Sequence, residues 1–340
     1  MHPRTTAARR RAGAPFLCAL AVALAGCSPD RYPQTALRPL SDFARIGDHV
    51  QDQTFYWALG VFILVEGALL YSIFRFRGRP GDPEPSQIHG NTTIEIIWTL
   101  IPALILAAIA VPTVKGIFET NTTPKGAMTI EVIGHQWWWE FRYPEANITT
   151  ANEMYIPAGR TVELKINSAD VVHSFWPPRF AGKRDVFPGR ETRLWWKADS
   201  TGLYPGQCAE YCGIQHTHMS IRVHVLSPGD FGRWLARQQR PLGEPASESI
   251  ANGQVVFQRE ACAGCHTANG TTASGAIGPN LSDVGARTTL GAGAIENNTS
   301  NLERWIDDAP AIKPGVLMPS FHTLSDRDVA DIAAYLENLK

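Results

Sequence analysis

Two long apolar runs constrain this chain more than anything else in it. Trp57 to Phe74 holds 18 residues with one charge, Glu66, and Ile94 to Val114 holds 21 with one charge, Glu95, at the edge. At ~1.5 Å per residue in a helix, either run crosses the ~30 Å of hydrocarbon in a bilayer. A buried core helix seldom runs so far without polar interruption. The runs therefore predict two membrane helices, at about 55–76 and 94–114. The loop between them carries Arg75, Arg77 and Arg79. Positive charge collects on the cytoplasmic side of spanning helices. Both the start of the first helix and everything after about residue 115 then face outward.

The N-terminus agrees with export. Arg4, Arg9, Arg10 and Arg11 precede the apolar stretch APFLCALAVALAG, and LAGC has the form of a bacterial lipoprotein cleavage site. Residues 1–27 read as a leader that carries Cys18 away and leaves Cys27 as a lipid-bearing first residue. An uncleaved anchor with an incidental cysteine is the alternative. The net charge of −1 gives no general attraction to nucleic acid.

Beyond the leading segment and hairpin (28–115) the periodicity changes. TVELKIN (161–167) and MSIRVHV (219–225) alternate apolar and polar residues, and Pro and Gly break the region at 157–159, 177–178, 188–189 and 205–206. Short alternating strands between turn residues predict a β-sandwich over 116–240, closed by a helix in DFGRWLARQQR. PLGEPASES (241–249) reads as a flexible linker. Residues 250–340 read as helical. SDRDVADIAAYLENL opens with a capping box, Ser325 and Asp328, and repeats Val329, Ile332, Leu336 and Leu339 at helical spacing.

The chemistry sits in two clusters of sulfur and imidazole. GQCAEYCGIQHTHM (206–219) gathers Cys208, Cys212, His216 and Met219, while VVHSFWPP supplies His173 after a strand. Two thiolates can bridge two copper ions, each finished by one imidazole, with methionine as a weak ligand. A structural zinc on two cysteines and two histidines is the other use of such a set. His218 and His224 read as surface or satisfied residues. The second cluster, CAGCH (262–266), is the c-type haem attachment signature. Cys262 and Cys265 would form thioethers and His266 would ligate iron. Met318, the one methionine downstream, is the expected second axial ligand, with His322 as runner-up.

The pattern Cys-x-Glu-x-Cys-x-x-x-His-x-x-Met, with a distant histidine before it, resembles the binuclear CuA centre of cytochrome c oxidase subunit II. The likeness runs over about residues 45–240, and GPNL (278–281) makes 250–340 similar to a class I cytochrome c. The resemblance implies a multidomain chain: a two-helix transmembrane hairpin, an all-β cupredoxin-like sandwich, then an all-α cytochrome. It implies that Cys208 and Cys212 bridge two coppers completed by His173, His216, Met219 and the Glu210 carbonyl. The Glu210 side chain would reach a magnesium site shared with subunit I. Trp137, in GHQWWWEF (134–141), matches the residue that passes electrons to copper, although which tryptophan of 137–139 does so stays open. Glu95 matches the acid at the mouth of a proton path into subunit I; a helix-end carboxylate facing water is its plainer role.

By this resemblance the chain is subunit II of a proton-pumping bacterial cytochrome c oxidase in the inner membrane, with its copper and cytochrome domains in the periplasm. Electrons would come from a periplasmic cytochrome c or the cytochrome bc complex. They would pass through the covalent haem c and the copper to subunit I, where oxygen becomes water; subunit III is a further partner. The haem domain would swing on its linker, and its ten acidic against six basic residues would steer a basic donor. A quinol-oxidase subunit II would lack the copper ligands, and a nitrous oxide reductase would add a large propeller. A copper-delivery or redox lipoprotein outside any oxidase would need neither two membrane helices nor two carriers.

Overall fold

The computed structural model describes residues 31–340 apart from Arg79, Leu242 and Ala261, so the expected leader, with Cys18 and Cys27, lies outside the described residues. The first long helix, α1, spans Asp42–Arg75 and begins well before the expected residue 55. Ser41 caps it by accepting from the Ala44 amide at 2.9 Å, and Asp42 stands in its first turn, where the helix dipole favours an acid. At ~1.5 Å per residue its 34 residues reach about 51 Å, more than a bilayer needs. The added turns are polar and stand on the sandwich. Helix α2 spans Thr92–Thr120, capped by Asn91, and outruns its expected bounds of 94–114 at both ends. Leu64, Leu106 and Val111 on the two helices are 67–72% exposed, which suits lipid and not water.

Ten strands form the sandwich. They are β1 Met128–His135, β2 Trp138–Tyr143, β3 Ile148–Ala151, β4 Glu153–Pro157, β5 Thr161–Ser168, β6 His173–Trp176, β7 Arg184–Val186, β8 Thr192–Lys197, β9 Gly202–Cys208 and β10 Ser220–Leu226. One sheet runs β3-β2-β1-β5-β8 and the other β4-β10-β9-β6-β7. The alternation read in β5 and β10 is the burial pattern: Val162, Leu164 and Ile166 face inward, as do Ile221, Val223 and Val225. Trp139, Phe141, Phe175 and Trp196 fill the space between the sheets. Helix α3, Pro228–Gln238, closes one end by stacking Trp234 on Tyr155 at 4.7 Å.

Both membrane helices are fixed to this sandwich. Ser41 Oγ donates to the Phe180 carbonyl at 2.6 Å, and Phe43 packs edge-on against Trp195. The Trp195 indole N–H donates to the Thr120 carbonyl at 2.9 Å. The start of α1 and the end of α2 thus meet the same domain, as a hairpin requires.

The last domain is built on α4 Glu248–Arg259, α5 Cys262–Cys265, α6 Thr299–Asp307, α7 Ala309–Ile312 and α8 Asp326–Asn338, with a short antiparallel pair, Thr289–Leu290 and Ile295–Glu296, between α5 and α6. Helix α4 crosses α8 at Gly253, where a Cβ would lie 1.9 Å from the Asp331 carbonyl oxygen; only glycine permits that approach. Phe257 and Tyr335 pack beside the crossing. Ser325 caps α8, accepting from the Asp328 amide and donating to its carboxylate, both at 3.1 Å. The helical domain is seated on the sandwich: the Ser220 amide donates to the Ala292 carbonyl and Gln215 Nε2 to the Pro314 carbonyl, both at 2.9 Å.

Candidate functional site

The fold converges the first ligand cluster through strand pairing. β6 opens with His173, β9 ends with Cys208, and their register sets Phe175 against Cys208. The Cys208 amide then donates to the Met219 carbonyl at 3.0 Å, which closes the intervening loop on itself. Cys208 and Cys212 bring their sulfurs to 3.8 Å, with His173 Nδ1 4.0 Å from the first sulfur and His216 Nδ1 3.7 Å from the second. Met219 Sδ lies 3.8 Å from Cys212 Sγ, and the Glu210 carbonyl oxygen 3.3 Å from Cys208 Sγ. The Glu210 carboxylate is exposed and accepts from the Tyr211 amide.

Charge in this cluster calls for a cation. The hydrogen bond from Cys212, with help from His173, holds the Cys208 thiol well below its ordinary value, while Cys208 in turn pushes the Cys212 thiol far up. Two buried thiolates this close cannot both ionise unless metal charge compensates them. Two soft sulfurs between two imidazoles, with a thioether and a carbonyl beside them, fit a copper pair.

Sequence reasoning missed Asp170. Its carboxylate accepts from His173 Nε2 at 2.8 Å and from the Gln136 and Val171 amides, both at 2.6 Å. Burial opposes charge on Asp170, but these bonds, led by His173, hold its pKa below the usual carboxylate range. The arrangement fixes the tautomer of His173 and turns Nδ1 to the sulfurs. An acid three residues before a ligand histidine was the available signal.

The second cluster surrounds an apolar cavity of about 330 Å³ lined by Cys262, Cys265, His266 and Met318 among aliphatic and aromatic side chains. His266 Nδ1 lies 2.8 Å from the Pro279 carbonyl, which can only accept, so Nδ1 carries the proton and Nε2 is left for a ligand. Burial lowers the His266 pKa and favours this neutral ring. Both cysteines are free thiols. His322 does not line the cavity; it is 61% exposed and paired with Asp307 at 3.2 Å and Asp308 at 3.3 Å. Free thiols, an oriented imidazole and a thioether around one apolar space fit a haem.

Trp137 lies between the clusters. Its indole N–H donates to the Cys212 carbonyl at 2.9 Å, and Gln136 Nε2 reaches the same oxygen at 2.7 Å. Its other side shares a smaller cavity, about 130 Å³, with His266, Gly278 and Leu317. Lys313 lines that cavity too, and burial pushes its ammonium down to about 7. Glu95 stands apart, at the far end of α2, where its carboxylate accepts from the Asn91 amide at 3.3 Å. His224 and His218 are hydrogen-bonded, to Glu153 at 2.6 Å and Gln215 at 2.8 Å.

Comparison with known proteins matches this architecture piece by piece. The family profile for the transmembrane domain of cytochrome c oxidase subunit II matches residues 41–115, and that for its periplasmic domain 146–226. A cytochrome c profile matches 250–340. Cytochrome c oxidase subunit 2 of Alkalihalophilus pseudofirmus is 38% identical over 288 residues, covering 82% of this chain and 83% of the relative. The chain belongs to the cytochrome c oxidase subunit II family. The Bacillus subtilis subunit 2 is 34% identical, covering 79% of this chain and 82% of its own length. A crystal structure of the periplasmic domain of subunit II of cytochrome oxidase from Bradyrhizobium japonicum is 32% identical, over 35% of this chain and 97% of that one, at a TM-score of 0.34. As a member of this family it is an inner-membrane protein with an electron-transfer role in a cytochrome c oxidase served by a cytochrome c. Its subunit II domain implies copper, and its cytochrome domain implies haem.

Proposed function

We propose that this subunit receives electrons at its cytochrome domain and hands them through its copper domain to subunit I of a proton-pumping oxidase, where oxygen is reduced to water. The observation that carries the proposal is the position of Trp137, bonded to the Cys212 carbonyl on one side and sharing a cavity with His266 on the other. When bound, haem and the copper pair supply one-electron carriage. Cys262 and Cys265 hold the haem covalently, and His266 and Met318 ligate its iron. Cys208, Cys212, His173, His216, Met219 and the Glu210 carbonyl hold two coppers. Asp170 orients His173, and Trp139 and Phe175 exclude water beside it. The exposed Glu210 carboxylate faces a magnesium site shared with subunit I, and Glu95 stands at the entrance of a proton path into that subunit. Subunit III completes the complex.

In this reading 1–27 is a cleaved leader, 28–115 the membrane hairpin, 116–240 the copper domain, 241–249 a linker and 250–340 the cytochrome, with the last three in the periplasm. Metal analysis and optical spectra of the purified complex test it. Two coppers per chain and one haem that survives denaturation and acid–acetone extraction are expected. One copper, zinc in its place, or an extractable haem would overturn the assignment.

A further inference from the structure

Two of the buried charged side chains, Lys313 and Glu153, lie where the cytochrome domain meets the copper domain. Lys313, just past α7, is 2% exposed. Its Nζ donates to the Trp137 carbonyl at 2.7 Å and the His218 carbonyl at 2.6 Å, both in the copper domain, and to Gly291 of its own domain at 2.7 Å. An ammonium has three hydrogens, and all three are used. Glu153, the first residue of β4, is fully buried. One of its oxygens pairs with His224 at 2.6 Å. The other accepts from the cytochrome domain three times: the Thr288 amide and hydroxyl at 2.7 Å each, and the Thr289 amide at 3.2 Å. Each domain therefore inserts one buried ionisable side chain into the other, with its hydrogen bonds met across the contact.

We infer that Lys313 and Glu153 lock the cytochrome domain onto the copper domain in a single electron-transfer pose, and that Lys313 is a positioning residue for Trp137. The inference rests on the reading of Trp137 as the bridge between the two centres. Exposed ion pairs would suit a domain that docks by collision, because they tolerate many geometries and contribute little each. Buried charges are different. Each costs heavily unless all its hydrogen bonds are met, and three donors meet three named carbonyls in one pose only. Trp137 is then held from several sides. Lys313 fixes its carbonyl and Cys212 its indole N–H. Gly315 and Gly213 stand so near the ring that a Cβ on either would lie 3.3 Å and 2.9 Å from it. The linker's task is then to connect the domains and not to let one search for the other.

The test uses the full chain in its assembled complex, with Lys313→Met to remove the donors and Thr288→Val as a milder change that spares folding. Spectra of both centres must first match the unmodified complex. Hydrogen exchange at Ser220, Thr288 and Thr289, cleavage of the linker by added protease, and the rate of copper reduction by pre-reduced haem in sucrose solutions are then followed. In the unmodified complex the copper reduction rate is expected not to depend on viscosity. Lys313→Met should slow it at least tenfold, make it fall with viscosity, and speed exchange at Ser220 at least tenfold. Thr288→Val should speed exchange at Thr289 several-fold. The lock is overturned if the unmodified rate already falls with viscosity, or if Lys313→Met leaves both exchange and rate unchanged. A chain lacking haem or copper would defeat the functional reading instead, and the exchange measurement still reports on the lock in that chain.

Discussion

Replacing Asp170 by alanine should weaken copper binding without removing a single ligand. His173 is fully buried and its Nε2 has Asp170 as its partner at 2.8 Å, so the variant leaves that N–H unpaired in a dry site. A hydrogen bond to a charged group contributes roughly 1.5–3 kcal/mol. At ~1.4 kcal/mol per tenfold, that corresponds to about 10- to 150-fold in affinity. The Asp170 side chain is 30% exposed, so water can reach part of the vacated space and the lower end applies, about 10- to 30-fold. The Gln136 and Val171 amides also lose an acceptor, but they lie toward solvent and recover one from water. Asparagine keeps an acceptor and should cost only about threefold, because it loses the charge and not the bond. Competition for copper against a chelator of known affinity measures both variants in the assembled complex. An alanine variant within threefold of the unmodified chain, at unchanged stoichiometry, would show that the carboxylate does not hold His173 for the metal.

Three further outcomes follow from the geometry. Met318→Ala should leave haem attached, lower its reduction potential and abolish the spectral mark of methionine ligation, while His322→Ala should change neither, since His322 is engaged by Asp307 and Asp308 outside the cavity; the reverse pattern would exchange their roles. Gly278→Ala would set a Cβ 2.5 Å from His266 Cε1 and break its bond to Pro279, costing roughly 2–4 kcal/mol in the cytochrome domain; denaturant unfolding followed at the haem should show it, and a change below ~0.5 kcal/mol would refute the crowding. Burial opposes charge on Glu153, but His224 and Thr288 together hold its pKa below the usual carboxylate value. A carboxylate depressed in the folded state stabilises above its unfolded pKa, ~4.3, and the contribution is lost as pH falls through the folded value. Exchange protection at Thr288 should therefore stay level from about pH 7 to 5 and fail only below ~4, whereas early loss would remove Glu153 from the interface.

The two clusters of sulfur and imidazole were legible in the sequence because their spacing is local. Cys208, Cys212, His216 and Met219 share one loop, and Cys262, Cys265 and His266 one helical turn, so spacing alone groups them. The first helix was read short for a physical reason. Hydropathy detects the part in contact with lipid, whereas DFARIGDHVQDQ is the polar part of α1 that stands clear of it. Ser41 and Asp42 were sufficient signals of a helix start that an apolar window passes over. Lys313 left no signature at all. Its partners are backbone carbonyls 176, 95 and 22 residues away, and any residue type carries a carbonyl. The swinging domain was inferred from PLGEPASES, yet the composition of a linker reports on the linker alone. The seat of the domain in this structure involves Glu153 and Lys313, which lie outside the linker.

The anchoring of α1 and α2 to the sandwich sets where the sulfur and imidazole cluster stands relative to the membrane helices. The hairpin works as a mast with two stays, Ser41 on Phe180 and Thr120 on Trp195, and the domain at its head cannot roll about a loose joint. The height of the cluster above the lipid is then a matter of helix length, and a change of tilt in the bilayer becomes a rotation of the whole copper domain. Severing the mast has a cost of its own. A water-soluble piece starting near residue 117 would keep the Thr120 stay but lose Ser41 and Phe43, baring the face of Trp195 and leaving the Phe180 carbonyl without its donor. Such a piece should self-associate through that bared face, which sedimentation at rising concentration would show.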